Sequence, residues 1–331
     1  MNNLLERTMK RTEPLVSVVI PTRDRPYLVA RAVHSALTQS LHKIEVIVVV
    51  DGPDDATLQV LNQIDDPRLE VCTLSRHLGP SDARNAGVRA AQSQWIAFLD
   101  DDDEWFPQKL EIQLQTAHLS AHPYPIISCR IIALTKVGDF VWPLRFPRPN
   151  ESLSEYLFCR RNPISVEGWI ATNTILTKKE LLQRVPFKSD LWCYEDFDWL
   201  LRASIQEGVG VEFVSKTEPL AICHMEEDYN RISTRIDWND SLSWIQASRH
   251  LVTHRAYASF LMTRPALFAS RQGDWKAFLP LLNEAYRYYR PGILDVLSYL
   301  GIWLIPQKAK RLIATFLARR SRNVALKKGS G

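Results

Sequence analysis

Four consecutive aspartates, Asp100 to Asp103, are the residues of this 331-residue chain whose type and spacing most directly suggest chemistry. They follow the apolar run "WIAFL" (95–99). Crowded carboxylates raise one another's pKa, so such a cluster indicates either a bound cation or a well-solvated turn. In a solvated turn, the last aspartate would cap a helix that begins near Trp105. In a cation site, carboxylates and substrate phosphates would together hold an ion such as Mg²⁺.

A second group of acidic residues lies in "YEDFDWLLRA" (194–203). The pattern predicts a helix over 194–208 with Glu195 and Asp196 in its first turn. The helix dipole favours the ionised form of a carboxylate at that position, which is the form that a general base needs. The alternative is a structural role for Asp196 at the helix N-terminus, with Phe197 and Leu200 facing the core.

The elements that must position these residues alternate between strands and helices. Short apolar runs predict buried parallel strands at 16–20, 44–50, 68–74 and 95–99. Helical patterns lie between them, with Asp54 and Ser81 as predicted N-caps. Alternation of this kind is typical of a doubly wound α/β sheet. The polar segments "PTRDR", "DGPDD" and "DDDDEW" follow three of the strands, so we expect a ligand site at the carboxyl edge.

The pattern changes after residue 106. It predicts a helix at about 107–121, strands within 125–134, 138–142, 211–215 and 220–225, and only helices from about residue 237. Five widely spaced cysteines without a CxxC pair argue against a disulfide framework or a zinc site, and favour a cytoplasmic location.

The C-terminal region combines apolar and basic residues. Its longest apolar-rich run, 293–305, is too short to span a bilayer, and no signal peptide is visible at the N-terminus. Residues 306–331 contain eight Lys or Arg and no acid, which leaves 4 − 8 = −4 for the remainder of the chain. A mildly acidic body argues against a nucleic-acid-binding protein. We expect peripheral contact of the C-terminal helices with an anionic membrane at its inner face; the alternatives are packing on the rest of the chain and a homodimer contact.

Four motifs in order carry a family resemblance: "VSVVIPTRDR", "IEVIVVVDGPDD", "LGPSDARNAGVRAAQSQWIAFLDDDDEW" and "YEDFDWLLRA". Over about residues 15–235 the chain resembles glycosyltransferase family 2, inverting enzymes of the GT-A fold. The resemblance implies a Rossmann-like α/β nucleotide-diphospho-sugar transferase fold with a mostly parallel central sheet. We therefore expect an N-terminal segment (1–14), a catalytic domain (15–236) and a helical C-terminal extension with a basic tail (237–331). The catalytic domain would comprise a nucleotide-binding half (15–106) and an acceptor half (107–236).

The resemblance also assigns roles to individual residues. It places the nucleotide against Pro21, Thr22, Arg23, Asp51, Arg84, Asp100 and Asp101, with Asp51 on the base, Arg84 on the base or diphosphate and Asp100 near the ribose. Asp102 becomes the main metal ligand, assisted by Asp100 and by His224, which otherwise reads as a packed structural histidine. Asp103 is left as a helix cap. Trp169 and Thr172, within 162–182, either line the acceptor cleft or serve ordinary packing. Val50 stands where many relatives have a second acid, which affects base recognition.

These assignments imply a metal-dependent inverting glycosyltransferase of cell-surface polysaccharide biosynthesis. With Mn²⁺ or Mg²⁺ it would transfer a sugar from a nucleotide sugar, a UDP-sugar above all, to a hydroxyl of a carbohydrate or glycolipid acceptor. Asp196 would be the base and Glu195 the second choice. One alternative is a sugar-nucleotide pyrophosphorylase or metal-dependent phosphohydrolase, although "PTRDRP" lacks the glycines of a pyrophosphorylase phosphate loop. Another is a non-catalytic carbohydrate-binding or scaffold protein, which would have lost Asp102 and Asp196.

Overall fold

The computed structural model of the chain describes residues 13–161, 167–215, 218–226, 237–306, 308–310, 312, 313 and 315. The chain divides into two compact units that interleave along the sequence. The first unit takes its described residues from Met1–Cys129, Ala171–Leu191 and Glu207–Ile222, and the second from Arg130–Ile170, Trp192–Gln206 and Cys223–Gly331. The domains expected from the sequence are continuous segments of the chain, and their boundaries stay a prediction.

The first unit is an α/β layer structure. Its strands are β1 (Val16–Thr22), β2 (Ile44–Val50), β3 (Leu69–Thr73), β4 (Trp95–Phe98), β5 (Asp103–Trp105), β6 (Tyr124–Ser128), β9 (Leu176–Lys178) and β10 (Val209–Phe213). Its helices are α1 (Pro26–Leu37), α2 (Asp55–Leu61), α3 (Pro80–Ala90), α4 (Lys109–Leu119) and α6 (Lys179–Arg184). A short 3-10 helix covers Thr172–Thr174.

A seven-stranded sheet forms the centre of the first unit among the described residues, in the order β10-β6-β9-β4-β1-β2-β3. Every residue of β1 and β2 is buried, as expected for Val- and Ile-rich strands covered on both faces. β1 runs parallel to both β2 and β4, with Thr22 opposite Val50 and Val19 opposite Phe98. Because of these registers, the loops after the three strands leave the sheet at the same edge.

The sequence-based elements agree with most of this sheet. The mostly parallel arrangement is confirmed, and β9 is the exception, since it runs antiparallel to both β4 and β6. Asp54 is confirmed as the N-cap of α2, because its carboxylate accepts a hydrogen bond from the backbone N–H of Thr57 at 3.0 Å. The prediction of Ser81 as a cap is wrong: α3 begins earlier, at Pro80, and its N-cap is Gly79 at φ 96°. Proline suits the first helical position because its fixed φ and missing N–H cost nothing there.

The second unit contains a hairpin and most of the helices. The hairpin pairs β7 (Ile131–Thr135) with β8 (Gly138–Trp142). The strand β11 (Ala221–His224) ends in this unit. The helices are α5 (Leu153–Phe158), α7 (Glu195–Ser204), α8 (Trp238–Ala247), α9 (His254–Leu261), α10 (Arg264–Gln272), α11 (Phe278–Tyr288) and α12 (Ile293–Leu304). The predicted helical C-terminal region is therefore confirmed as far as residue 304.

Some predicted segments lie outside the described residues. They include most of the N-terminal segment, residues 162–166 of the predicted acceptor segment and residues 316–331 of the basic tail. Among the residues that are described, no helix combines the length and the apolar character needed to cross a membrane.

Candidate active site

The loops at the carboxyl edge of β1 and β4 meet through Asp101. Its carboxylate accepts hydrogen bonds from the Thr22 hydroxyl and from the Arg25 guanidinium, each at 2.8 Å. Burial raises the pKa of Asp101 to about 6, although the charge of Arg25 acts in the opposite direction. Arg25 also lies 3.6 Å from the carboxylate of Asp102. A single arginine therefore holds two neighbouring aspartates of the acidic loop.

Two further arginines contact the same loop. The Arg84 guanidinium, which is buried in α3, donates to the Asp100 carboxylate at 2.8 Å and lies 5.6 Å from the centre of the Phe187 ring. Arg31 donates to the backbone carbonyl of Asp102 at 2.7 Å. The loop is thus surrounded by cations, which offset the repulsion between its carboxylates and supply the kind of charge that binds phosphate.

Asp103 differs from the three aspartates before it. It is the first residue of β5, not a helix cap, and α4 begins only at Lys109 after Gln108. The Asp103 carboxylate accepts a hydrogen bond from the Asn173 side-chain amide, and the backbone carbonyl of Asn173 accepts one from the Trp105 indole at 2.8 Å. The predicted capping role of Asp103 is therefore wrong, because these buried contacts fix it as an anchor for the end of the acidic loop.

A buried lysine supports that anchor from the helix α4. The Lys109 ammonium lies 3.8 Å from the centre of the Trp105 ring and donates to the Gln113 amide oxygen at 2.6 Å. Gln113 in turn donates to the backbone carbonyl oxygens of Ile127 and Thr174. The network links the acidic loop to the middle of the sheet, so the loop has little freedom to move as a whole.

At the end of β2, the Asp51 carboxylate organises a neighbouring loop. It accepts hydrogen bonds from the backbone N–H groups of Leu78 and Gly79, at 2.7 and 2.8 Å, and contacts the His77 imidazole at 2.6 Å. Arg23 donates to the Asp51 carbonyl at 2.9 Å. The structure therefore brings the predicted residues Arg23 and Asp51 together, while the contact of Asp51 with a nucleotide base stays a prediction.

The chemistry of the acidic loop fits a hard divalent cation. Among the described residues, no three His, Cys, Asp or Glu side chains are arranged to hold a metal ion by themselves. A Mg²⁺ or Mn²⁺ ion that also binds substrate phosphates needs only one or two protein carboxylates. Asp102, with Asp100 beside it, supplies the oxygen donors that such an ion prefers.

In the second unit, Glu195 and Asp196 open α7. The preceding residue, Tyr194, is held in the left-handed region at φ 62°, which is unfavourable for an aromatic residue. Its ring stacks on Trp244 at 4.8 Å between centroids, and its hydroxyl contacts that of Ser241 at 2.8 Å. The Asp196 carboxylate accepts a hydrogen bond from the N–H of Phe197 at 2.7 Å. Aromatic packing thus fixes the start of α7 and the two carboxylates there.

The remaining predicted site residues have structural contacts of their own. His224 is buried at the end of β11, and its Nδ1 lies 3.2 Å from the Glu226 carboxylate. Trp169 packs edge-on against Trp142 at 5.1 Å, and Thr172 is buried in the 3-10 helix of the first unit. Pro21 is buried within β1. Roles in metal or acceptor binding stay predictions for these residues.

Sequence reasoning missed Arg25, Arg31 and Asn173. A signal for Arg25 was present, since "PTRDR" contains two arginines and its loop was expected to face four aspartates. Nothing in the sequence around Asn173 pointed to Asp103, because the two residues are joined only by the folded sheet.

Comparison with known proteins identifies the family. The profile described as "Glycosyl transferase family 2" matches residues 17–181. Amylovoran biosynthesis glycosyltransferase AmsB of Erwinia amylovora is 28% identical over 249 residues, which cover 72% of this chain and 79% of AmsB. The glucosyltransferase WfaP of Escherichia coli, named as UDP-Glc:alpha-D-GlcNAc-diphosphoundecaprenol beta-1,3-glucosyltransferase, is 35% identical over 101 residues, 30% of this chain and 40% of WfaP. Matches to such relatives span from 16% to 79% of their lengths.

A solved structure agrees on the fold. S. aureus TarS 1-349 in complex with UDP-GlcNAc superposes with a TM-score of 0.53 at 15% identity, covering 93% of this chain and 91% of that one. At this identity the likeness concerns the fold alone. The profile match, the named relatives and the mostly parallel α/β sheet agree, and the chain belongs to glycosyltransferase family 2, with the GT-A fold.

Proposed function

We propose that this chain is a metal-dependent inverting glycosyltransferase that transfers a sugar from a nucleotide-sugar donor to an acceptor hydroxyl. The observation that carries the proposal is the acidic loop at the carboxyl edge of the sheet. There Thr22 and Arg25 hold Asp101, and Arg84 holds Asp100. Alternating acids and cations at such an edge suit a diphosphate together with a divalent cation.

In this proposal, Asp102 and Asp100 are the residues that would hold Mn²⁺ or Mg²⁺. The bound ion would supply charge neutralisation of the departing nucleoside diphosphate. Arg25 and Arg84 lie next to these carboxylates and add positive charge where negative charge develops. Pro21, Thr22, Arg23 and Asp51 shape the loops on which the nucleotide would lie.

Asp196 is proposed as the general base, with Glu195 as the second choice. Its place in the first turn of α7 favours the ionised form, and Tyr194 and its aromatic neighbours keep that turn fixed. The carboxylate would accept the proton of the acceptor hydroxyl as the hydroxyl oxygen attacks the anomeric carbon and the bond to the diphosphate breaks. Direct displacement of this kind inverts the configuration and forms no covalent enzyme intermediate.

We propose a UDP-sugar as the donor and a carbohydrate or glycolipid as the acceptor, in cell-surface polysaccharide biosynthesis. WfaP is named for a UDP-Glc donor and a diphosphoundecaprenol-linked acceptor, AmsB for amylovoran biosynthesis, and TarS was solved with UDP-GlcNAc. These names describe the relatives and support the class of donor and acceptor. A cytoplasmic location follows from the same proposal, because nucleotide sugars would be the co-substrates.

A panel of nucleotide sugars tests the proposal. The full chain is incubated with each donor and Mn²⁺, with or without acceptor mixtures, and the nucleotide products are separated by chromatography. We expect release of UDP from one or a few UDP-sugars, and its loss on addition of a chelator. Release of UMP would instead favour a phosphohydrolase, and formation of UTP with added pyrophosphate would favour a pyrophosphorylase. Binding of carbohydrate without turnover of any donor would favour the non-catalytic alternative.

A further inference from the structure

The helix α12 has its polar residues on the buried side and large apolar residues on the exposed side. Asp295 and Ser298 are buried. The Asp295 carboxylate accepts hydrogen bonds from the Ser259 hydroxyl at 2.5 Å and from the backbone N–H of Gly292 at 3.1 Å. Tyr299 and Trp303 pack on the same side against Phe278. The contacts of this side therefore fix which face of α12 points into the protein.

The opposite face forms an apolar stripe of four residues: Ile293, Leu297, Leu300 and Leu304, with exposed fractions of 77%, 51%, 36% and 64%. Their spacing of four, three and four places them on one side of the helix. Burying these side chains would be favourable, because it removes apolar surface from water. A contiguous exposed row of this kind indicates an interaction surface, because single exposed apolar residues are ordinary but aligned ones are not.

The charges in the C-terminal part of the sequence indicate the partner of the stripe. From residue 275 to 315 the described part of the chain has exposed cations at Lys276, Arg287, Arg290 and Lys308. Its two acids are engaged inside, Asp295 as above and Glu284 by the Tyr257 hydroxyl at 3.1 Å. The sequence beyond, 316–331, adds five more Lys or Arg and no acid. Within 275–315, the described residues therefore include exposed cations and no exposed carboxylate.

We propose that the apolar stripe of α12 docks on the surface of an anionic lipid bilayer, with the surrounding cations facing the headgroups. A helix that lies in the interface needs both an apolar face and neighbouring cations, and this region provides both. A second copy of the chain fits less well. A two-fold contact would place the same surface against itself and bring its cations together. The 12 residues of α12 cover about 18 Å, too little to cross the bilayer core.

Vesicle sedimentation with the full chain tests the proposal. The vesicles are pure phosphatidylcholine or phosphatidylcholine with about one-third phosphatidylglycerol, at about 0.05 M and about 0.5 M NaCl. We expect binding to the anionic vesicles that weakens at high salt, and little binding to the neutral ones. Absence of binding to anionic vesicles at low salt, or equal binding to both compositions, would overturn the proposal.

Substitutions in the stripe show whether α12 makes the contact. The variant Leu297→Gln/Leu300→Gln keeps good helix formers at exposed positions, and we expect at least a tenfold loss of vesicle affinity with an unchanged thermal melt. The matched control is Leu119→Gln, which removes a leucine at the end of α4 that is more exposed than either stripe leucine. We expect wild-type binding from this control. Equal binding by the stripe variant and the control would assign the membrane contact elsewhere and overturn the proposal.

A charge variant and a measurement of mass complete the test. Arg287→Gln/Arg290→Gln changes two exposed cations and leaves the stripe intact, so it remains informative if the stripe variant does not fold. We expect it to lose vesicle affinity and to respond less to salt. Light scattering of the wild-type chain without lipid should give a monomer. A dimer that the Leu297→Gln/Leu300→Gln substitutions dissociate would identify a second copy as the partner and overturn the membrane proposal.

Discussion

Each aspartate of the acidic loop has a different environment, and its chemistry follows from that environment. Asp101 is bound by Thr22 and Arg25, and Asp103 by Asn173. Asp102 contacts Arg25 at the longer distance of 3.6 Å. Asp102 is the proposed main ligand because it occupies the metal-binding position that the family resemblance implies.

The first prediction concerns that ligand. Asp102→Asn keeps the size of the side chain but removes its charge, so the affinity for UDP in the presence of Mn²⁺ should fall at least about tenfold. Calorimetric titration of UDP, with and without Mn²⁺, measures the change. Asp65→Asn, at an exposed loop position, is the control and should bind as the wild type does. Unchanged Mn²⁺-dependent binding by a folded Asp102→Asn variant would contradict the metal assignment.

The second prediction separates chemistry from binding. Asp196→Asn keeps the hydrogen bond acceptor for the Phe197 N–H but cannot take a proton. Sugar transfer should therefore fall by roughly 10²-fold or more, while the affinity for the donor changes little. Initial rates with the donor found in the panel measure the effect, and Glu195→Gln is made beside it. A large loss in Glu195→Gln together with wild-type rates in Asp196→Asn would reverse the two roles.

At the scale of elements, the contact between α3 and β1 depends on a glycine. A Cβ atom on Gly87 would lie 2.3 Å from a methyl group of Val19, so alanine cannot fit unless the helix or the Val19 side chain moves. We expect Gly87→Ala to lower the free energy of unfolding by about 1–3 kcal/mol. In a chain that already carries Val19→Ala, the same substitution should lower it by at least about 1 kcal/mol less. Gly301→Ala in α12 has room for the methyl group and should stabilise slightly.

Urea unfolding of the four variants and the wild type measures these differences. Strictly additive effects of Gly87→Ala and Val19→Ala would contradict the close approach of α3 to the sheet.

The buried lysine of α4 should make stability depend on pH. Burial lowers the pKa of Lys109 to about 8, and the Cys129 thiol nearby has its own pKa raised by burial to about 11. Above about pH 8 the folded chain loses the Lys109 proton while the unfolded chain keeps it until about pH 10.5. The unfolded state then binds more protons, so the Lys109 contribution to the free energy of unfolding rises with pH.

The corresponding measurement compares the wild type with Lys109→Met, which lacks the titrating group. The free energy of unfolding of the wild type minus that of the variant should rise by about 2 kcal/mol between about pH 8 and pH 10. The same comparison with Lys43→Met, an exposed lysine, should give a flat difference. If the difference in the free energy of unfolding for Lys109→Met were also independent of pH, the pKa of Lys109 would not be lowered in the folded chain.

The sequence allowed the strands of the first unit to be predicted closely, because continuous Val and Ile runs indicate buried parallel strands. The run 44–50 coincides with β2. The sequence did not reveal β9, because its three residues are too few for a periodic pattern. These residues pair antiparallel with strands that are far away along the chain. The left-handed Tyr194 was equally hidden, since only the aromatic packing around it makes that backbone conformation tolerable. Local sequence patterns were enough to predict which acidic residues belong to the candidate site. The residues that contact them could not be predicted, because the folded structure brings them together.

At the scale of the whole molecule, charge is distributed unevenly. The chain carries a net charge of +4, but residues 275–331 contain 11 Lys or Arg and two acids, so the remainder carries 4 − 9 = −5. The rest of the chain is therefore mildly acidic, and the basic residues concentrate in the C-terminal part of the sequence. This distribution agrees with a catalytic body that binds its donor locally and a C-terminal region that meets an anionic surface.

The central claim is that the bond between the sugar and the diphosphate breaks on the sugar side. Turnover of the preferred UDP-sugar by the full chain with Mn²⁺ in H₂¹⁸O, followed by mass spectrometry of the nucleotide, tests it most directly. We predict UDP as the nucleotide product, without ¹⁸O, because water or the acceptor attacks the anomeric carbon. UMP, or ¹⁸O in any phosphate of the products, would place the attack at phosphorus and contradict the assignment of this chain as a glycosyltransferase.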